Sequence, residues 1–157
     1  MKTQQGFTLI ELVITIVLTS IIAVISFDML SQGLTAYLTA KNVTHADQQA
    51  RLALARMSRD LRSVSSSSAI TTATASQITL TNLSGTSISY SLSGTNLLYN
   101  TQVLVDGIGS LTFTYYDING NTTATISAIR YISVSLGVTG NNANFTVSTT
   151  MFPPNLA

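Results

Sequence analysis

Three patterns of hydrophobic and polar positions succeed one another along the chain. From Phe7 to Phe27 apolar residues dominate 21 positions that hold one ionisable group, Glu11. As a helix, such a run spans the roughly 30 Å of a hydrocarbon core, so it predicts a membrane-crossing segment. From Ala46 to Val64 the apolar residues instead recur in steps of three and four, at Ala46, Ala50, Ala53, Leu54, Met57, Leu61 and Val64. That spacing predicts an amphipathic helix with one buried face, while Arg51, Arg56, Arg59, Asp60 and Arg62 fall largely on the others. No proline precedes position 153, so proline chemistry stops no helix between the two runs. One helix from about Thr8 to Arg62 is therefore expected, about 80 Å long at 1.5 Å per residue. Gly33, with Ser26 and Ser31 nearby, is its weakest point.

After the helix the period changes to two. Segments 76–83, 86–92 and 96–99 read as short strands separated by Ser84-Gly85 and Ser93-Gly94 turns. Leu111 to Tyr116 continues into a turn at Asp117 to Asn121, and segments 128–136 and 143–151 flank another at Gly140-Asn141-Asn142. The alternation predicts a sheet with one buried and one polar face, covered by the helix stripe.

Composition sharpens this division. Only 8% of the 157 residues are charged, against roughly 25% in an ordinary soluble domain. Ten of the thirteen charges lie in residues 1–62, and only Arg130, Asp106 and Asp117 follow. About a third of residues 63–157 are Ser or Thr, so hydroxyls stand in for charge on the solvent side of the strands. A net charge of +1 supplies no field to steer nucleic acid or an anionic surface. The absence of cysteine excludes a disulfide framework and thiolate metal sites.

A secretory signal peptide is the competing reading of the N-terminus, but the apolar run is too long for a typical h-region and no A-x-A-like site follows it. Glu11 is the anomaly. A carboxylate well inside a spanning helix costs on the order of 2.5–3.5 kcal/mol, so it carries a functional hypothesis by default. The plainer alternative is that it sits near the helix end and favours the macrodipole.

Gly6-Phe7-Thr8-Leu9-Ile10-Glu11 closely resembles the prepilin signature of type IV pilins and type II secretion pseudopilins. The resemblance implies cleavage after Gly6 by a dedicated inner-membrane peptidase and N-methylation of the new terminus, Phe7. It also implies a role for Glu11 as the carboxylate that pairs with a neighbouring subunit's terminal amine during assembly. Lys2 matches the short basic leader. The segment from Gln49 to Arg62 looks, more loosely, like the same helix of J-type minor pseudopilins and related minor pilins. Many pilins carry a proline within the apolar segment, and this chain has none there.

Other chemistry is poorly supported. His45 is the only histidine, and a triad would require it to reach a distant strand from an amphipathic helix. Asp106 and Asp117 are the only carboxylates after Asp60, with no evident apolar pocket to raise either pKa. Asp117-Ile118-Asn119-Gly120-Asn121 has its glycine at the fourth position and no Glu at the twelfth, so it fails EF-hand spacing and reads as a turn. The helix arginines lack interleaved aromatics for stacking bases, and read as a solvated or subunit-facing surface.

The fold expected is α+β, a long N-terminal helix packed on a C-terminal antiparallel β-sheet head. Residues 1–6 are a leader, 7–27 a transmembrane or filament-core helix, 28–64 an amphipathic continuation, and 65–157 the head. Leu54, Met57, Leu61 and Val64 are the expected helix–head contacts. The function expected is that of a non-catalytic minor pilin or pseudopilin, with a membrane-anchored adhesin or a DNA-uptake pilin as alternatives. Its partners would be other pilin subunits, the prepilin peptidase/methyltransferase and the inner membrane, with the head on the periplasmic or outer side. No cofactor, metal or nucleic acid is expected.

Overall fold

Helix α1 runs without interruption over the 54 residues Leu9–Arg62 in the computed structural model, which describes residues 6–140 and 143–156. Gly33 does not break it. Lys2, expected to supply the leader charge, lies outside the described residues, as do Asn141 and Asn142 of the expected turn. The chain divides into two units, Met1–Lys41 and Asn42–Ala157.

In the first unit every residue from 6 to 38 is exposed, and the helix is long and apolar enough to cross a membrane. Several of its hydroxyls are turned back onto the helix itself. Thr15 donates to the Leu12 carbonyl at 2.8 Å, Thr19 to that of Thr15 at 2.6 Å and Ser20 to that of Val17 at 2.7 Å. Such internal bonds satisfy polar groups that hydrocarbon could not.

The second unit begins with the amphipathic part of α1. Ala50, Ala53, Leu54, Met57 and Leu61 are buried, with Val64 immediately after the helix. Ser63 closes the last turn, its hydroxyl donating to the Asp60 carbonyl at 2.7 Å. Among the described residues eight antiparallel strands then form two sheets rather than the single one expected. The first is a meander of β1 (Ile70–Ala73), β2 (Gln77–Thr81), β3 (Ser87–Ser93), β4 (Asn96–Tyr99) and β5 (Gln102–Val105). The second contains β6 (Ile108–Tyr116), β7 (Tyr131–Gly140) and β8 (Ala143–Met151). Between them Asp106-Gly107 redirects the chain, and Gly107 adopts φ +71, which favours glycine.

Period-two burial holds on the central strands. Ile78 and Leu80 on β2, Ile88 and Tyr90 on β3, Phe113 and Tyr115 on β6, and Ile132, Val134, Leu136 and Val138 on β7 join the helix stripe in one core. The two sheets are tied by main-chain and side-chain bonds. Phe113 N donates to the Ala75 carbonyl at 2.8 Å, and the Tyr115 hydroxyl to the Thr74 carbonyl at 2.9 Å.

The differences from the sequence reading have local causes. Strand β1 follows a serine run and buries a single large apolar side chain, Ile70, so no alternation marks it. Strand β5 sits at a sheet edge with three apolar residues in succession and equally lacks a period-two signal. Strand β6 starts at Ile108 rather than Leu111 because a register shift between Ile108 and Ser110 disrupts the alternation. Residues Ile126–Ala128 form a 3₁₀ turn, so β7 begins at Tyr131 rather than Ala128.

Candidate processing and assembly site

Gly6, Phe7 and Thr8 precede α1 and are exposed. Among the described residues nothing lies within 4 Å of the position a Cβ on Gly6 would take. Packing against the described residues therefore does not require glycine there. Phe7 is 80% exposed.

Thr8 starts the helix. Its side-chain oxygen accepts from the Glu11 main-chain N–H at 3.3 Å, and its carbonyl accepts from Leu12 N at 3.2 Å. Thr8-Leu9-Ile10-Glu11 thus has the T-x-x-E order of a capping box, with the Thr half of the exchange formed. Glu11 lies in the first turn of α1, where an acidic group interacts favourably with the positive end of the macrodipole, worth about 0.3–1 kcal/mol. The plainer account of its position, close to the helix end, therefore holds structurally. It does not use up the side chain: among the described residues the Glu11 carboxylate has no ion-pair partner.

Leu54, Met57, Leu61 and Val64 all lie in the core, and Arg51, Arg59 and Arg62 are exposed. Arg51 binds Asp47 one turn earlier, at 2.8 Å. Arg56 and Asp60, one turn apart on α1, stand 3.9 Å from each other, and each group has another contact. Asp60 accepts the Tyr90 hydroxyl at 2.6 Å, and the Arg56 guanidinium sits 3.9 Å from the centre of the Tyr99 ring. Tyr90 and Tyr99 meet edge to face at 5.5 Å between centroids, which completes a four-residue junction between α1 and strands β3 and β4. Burial, then the hydrogen bond to Asp60, pushes the Tyr90 phenol well above its ordinary range. Nothing in the sequence links Asp60 with a tyrosine 30 positions away; only the period-two placement of Tyr90 on the inner face of β3 hinted at its burial.

The remaining candidates do not converge on chemistry. His45 is exposed and contacts Gln49 one turn on, at 3.3 Å. Asp117 Oδ1 accepts from Asn119 N and Asn121 N, each at 2.9 Å, while Gly120 adopts φ +80. This carboxylate is engaged by its own turn. Among the described residues no three His, Cys, Asp or Glu side chains gather as a metal site would need.

Residues 1–27 match the family model described as the prokaryotic N-terminal methylation motif. The N-terminus is of the prepilin type. Together with the long helix packed on antiparallel sheets, it gives the chain a type IV pilin-like architecture, and the motif is that of the type IV pilins and pseudopilins, which are non-catalytic structural subunits. The motif is shared by pilins and pseudopilins and does not separate them. Its apolar helix is consistent with anchoring in the inner membrane before assembly. No curated protein matches the chain.

Proposed function

We propose that the chain is a minor pilin or pseudopilin, a structural subunit that takes part in initiating or building a type IV pilus or type II secretion pseudopilus. Cleavage after Gly6 releases residues 1–6, Phe7 becomes the methylated terminus, and Glu11 receives the terminal amine of a neighbouring subunit. Residues 7–27 serve first as the membrane anchor and then as filament core, 28–64 continue the helix into the head, and 65–157 form the head. The J-type minor subunits are the relatives favoured by the Gln49 to Arg62 segment.

The observation that carries the proposal is the contrast within α1. From 6 to 38 every residue is exposed, mostly apolar, and marked by one carboxylate in the first turn with no ion-pair partner among the described residues, whereas the later stripe packs into the core of its own head. An exposed apolar helix requires either lipid or other helices to cover it, at about 25 cal/mol per Å² removed from water. A Glu paired with an ammonium in such an interior sets register, the best-attested use of buried ion pairs. Gly6 supports a recognition role in the same way, since packing against the described residues does not demand glycine.

Glu11→Ala tests assembly against simple anchoring. An assembly subunit loses incorporation into filaments while remaining in the membrane. If the variant is incorporated as well as wild type, the assigned role of Glu11 is wrong and a membrane-anchored binding module becomes the better reading.

A further inference from the structure

Two seams run along the exposed part of α1. Ile14, Val17, Ile21 and Val24 follow one another in steps of three, four and three, and one more step of four reaches Asp28. Phe27, Leu30, Leu34 and Tyr37 repeat the same steps and end, four positions on, at Lys41. That is the spacing of the a and d positions of a coiled coil. Every one of these residues is exposed, and all belong to the first unit. Between Glu11 and Lys41 the helix carries no charge but Asp28, and among the described residues neither Asp28 nor Lys41 has an ion-pair partner.

The seams differ by thirteen positions, which places them roughly 140° apart around the helix and about 20 Å apart along it. Within one chain Asp28 and Lys41 therefore cannot meet. A parallel copy displaced by that distance brings each residue of one seam level with its counterpart in the other, Ile21 with Leu34, Val24 with Tyr37 and Asp28 with Lys41. Apolar residues then cover apolar residues, and the charge that ends one seam meets the opposite charge that ends the other. Two copies without displacement would instead set Asp28 against Asp28, which is repulsive.

We infer that the seam ending at Asp28 is a docking surface for the seam ending at Lys41 of a second copy of this chain, held parallel and displaced by about 20 Å. Because the two seams occupy different faces, the contact is heterologous. Each copy keeps one seam free for the next, so the series stays open instead of closing into a dimer. The contact is also distinct from the one assigned to Glu11. A terminal amine on Phe7 that meets Glu11 needs a displacement of only four positions, about 6 Å, and so belongs to a different neighbour. Copies anchored in one bilayer share a common depth and reach the larger displacement only as they leave it, so this docking rests on the chain's being an assembling subunit.

The chain has no cysteine, so introduced ones report alone. Val24→Cys and Tyr37→Cys variants of the full chain are mixed in detergent micelles, the detergent is diluted until the apolar helices must cover one another, and disulfide-linked dimer is measured after oxidation. The mixture should give about tenfold more dimer than either variant by itself, since only the displaced arrangement brings positions 24 and 37 together. Asp28→Lys in both chains opposes Lys to Lys and should lower that yield about fivefold, the scale on which an exposed pair turned into a repulsion is felt. Adding Lys41→Asp to the same chains should restore it, and Lys41→Asp alone serves if Asp28→Lys fails to fold. Val24→Cys alone linking as well as the mixture, an unchanged yield with Asp28→Lys, or no recovery in the charge-exchanged chains overturns the inference. No peptidase or filament machinery takes part, so these outcomes are separate from whether Gly6 is the cleavage site or Glu11→Ala is incorporated.

Discussion

The Tyr90 hydroxyl donates to Asp60 Oδ2 at 2.6 Å, joining the last turns of α1 to the middle of β3. Asp60 is only 17% exposed at its side chain, and Arg56, 3.9 Å away, is too far for a close ion pair. The phenol is therefore the principal group that compensates the carboxylate for lost water. Replacing Tyr90 by Phe keeps the buried ring and its edge contact with Tyr99 but leaves Asp60 without its short donor. A hydrogen bond to a charged group is worth about 1.5–3 kcal/mol, so Tyr90→Phe should destabilise the head by that order. Urea unfolding of the full chain in micelles, followed by tyrosine fluorescence, measures it. Arg56→Ala should cost less, about 0.5–1 kcal/mol, because its cation–π contact is partly exposed.

The same burial gives the head a direction of pH sensitivity. Tyr90 and Tyr115 are both held above the ordinary phenol range, Tyr90 by burial and then its bond to Asp60, Tyr115 by burial. Their contribution is fully present below the unfolded-state value near about 10 and is lost as pH rises beyond it, since the unfolded chain releases those protons more readily. The urea midpoint should fall above that pH and stay flat from neutrality up to it as far as these groups are concerned. Tyr115→Phe, which also forfeits the bond to the Thr74 carbonyl, should lower stability at neutral pH but make the alkaline fall shallower.

At the other end of the helix, Thr8→Ala removes the acceptor for the Glu11 N–H. Loss of such a cap costs roughly 0.5–2 kcal/mol of local helix stability. Faster amide exchange at positions 9–12, with no change in the head's unfolding midpoint, is the expected pattern.

Much of this was legible from residue types and their period, for stated reasons. The helix was readable because two different apolar patterns, a continuous run and a stripe from Ala46 to Val64, are joined without proline. The inner faces of β2, β3 and β7 were readable because Ile, Leu, Val and Tyr alternate there with Ser and Thr. The split into two sheets was not, because it turns on one glycine conformation after Asp106 and on hydrogen bonds from Phe113 and Tyr115 to residues about 40 positions earlier. The Asn155 side chain, which donates to the Val64 carbonyl at 2.8 Å across 91 positions, was equally invisible. Gly6, Phe7 and Glu11 stood out through the motif they compose. What the structure adds is that, among the described residues, Glu11 occupies the first helical turn without a counter-ion and Gly6 has no packing reason to be glycine.

The central claim is that this chain is processed as a prepilin, and intact mass with N-terminal fragmentation of the membrane-extracted protein tests it most directly. Cells that contain a prepilin peptidase should yield a chain beginning at Phe7 and bearing one added methyl group on its terminal nitrogen, and Gly6→Leu should retain residues 1–6. A wild-type chain that keeps its leader in those cells, or is cut at any other bond, contradicts the account.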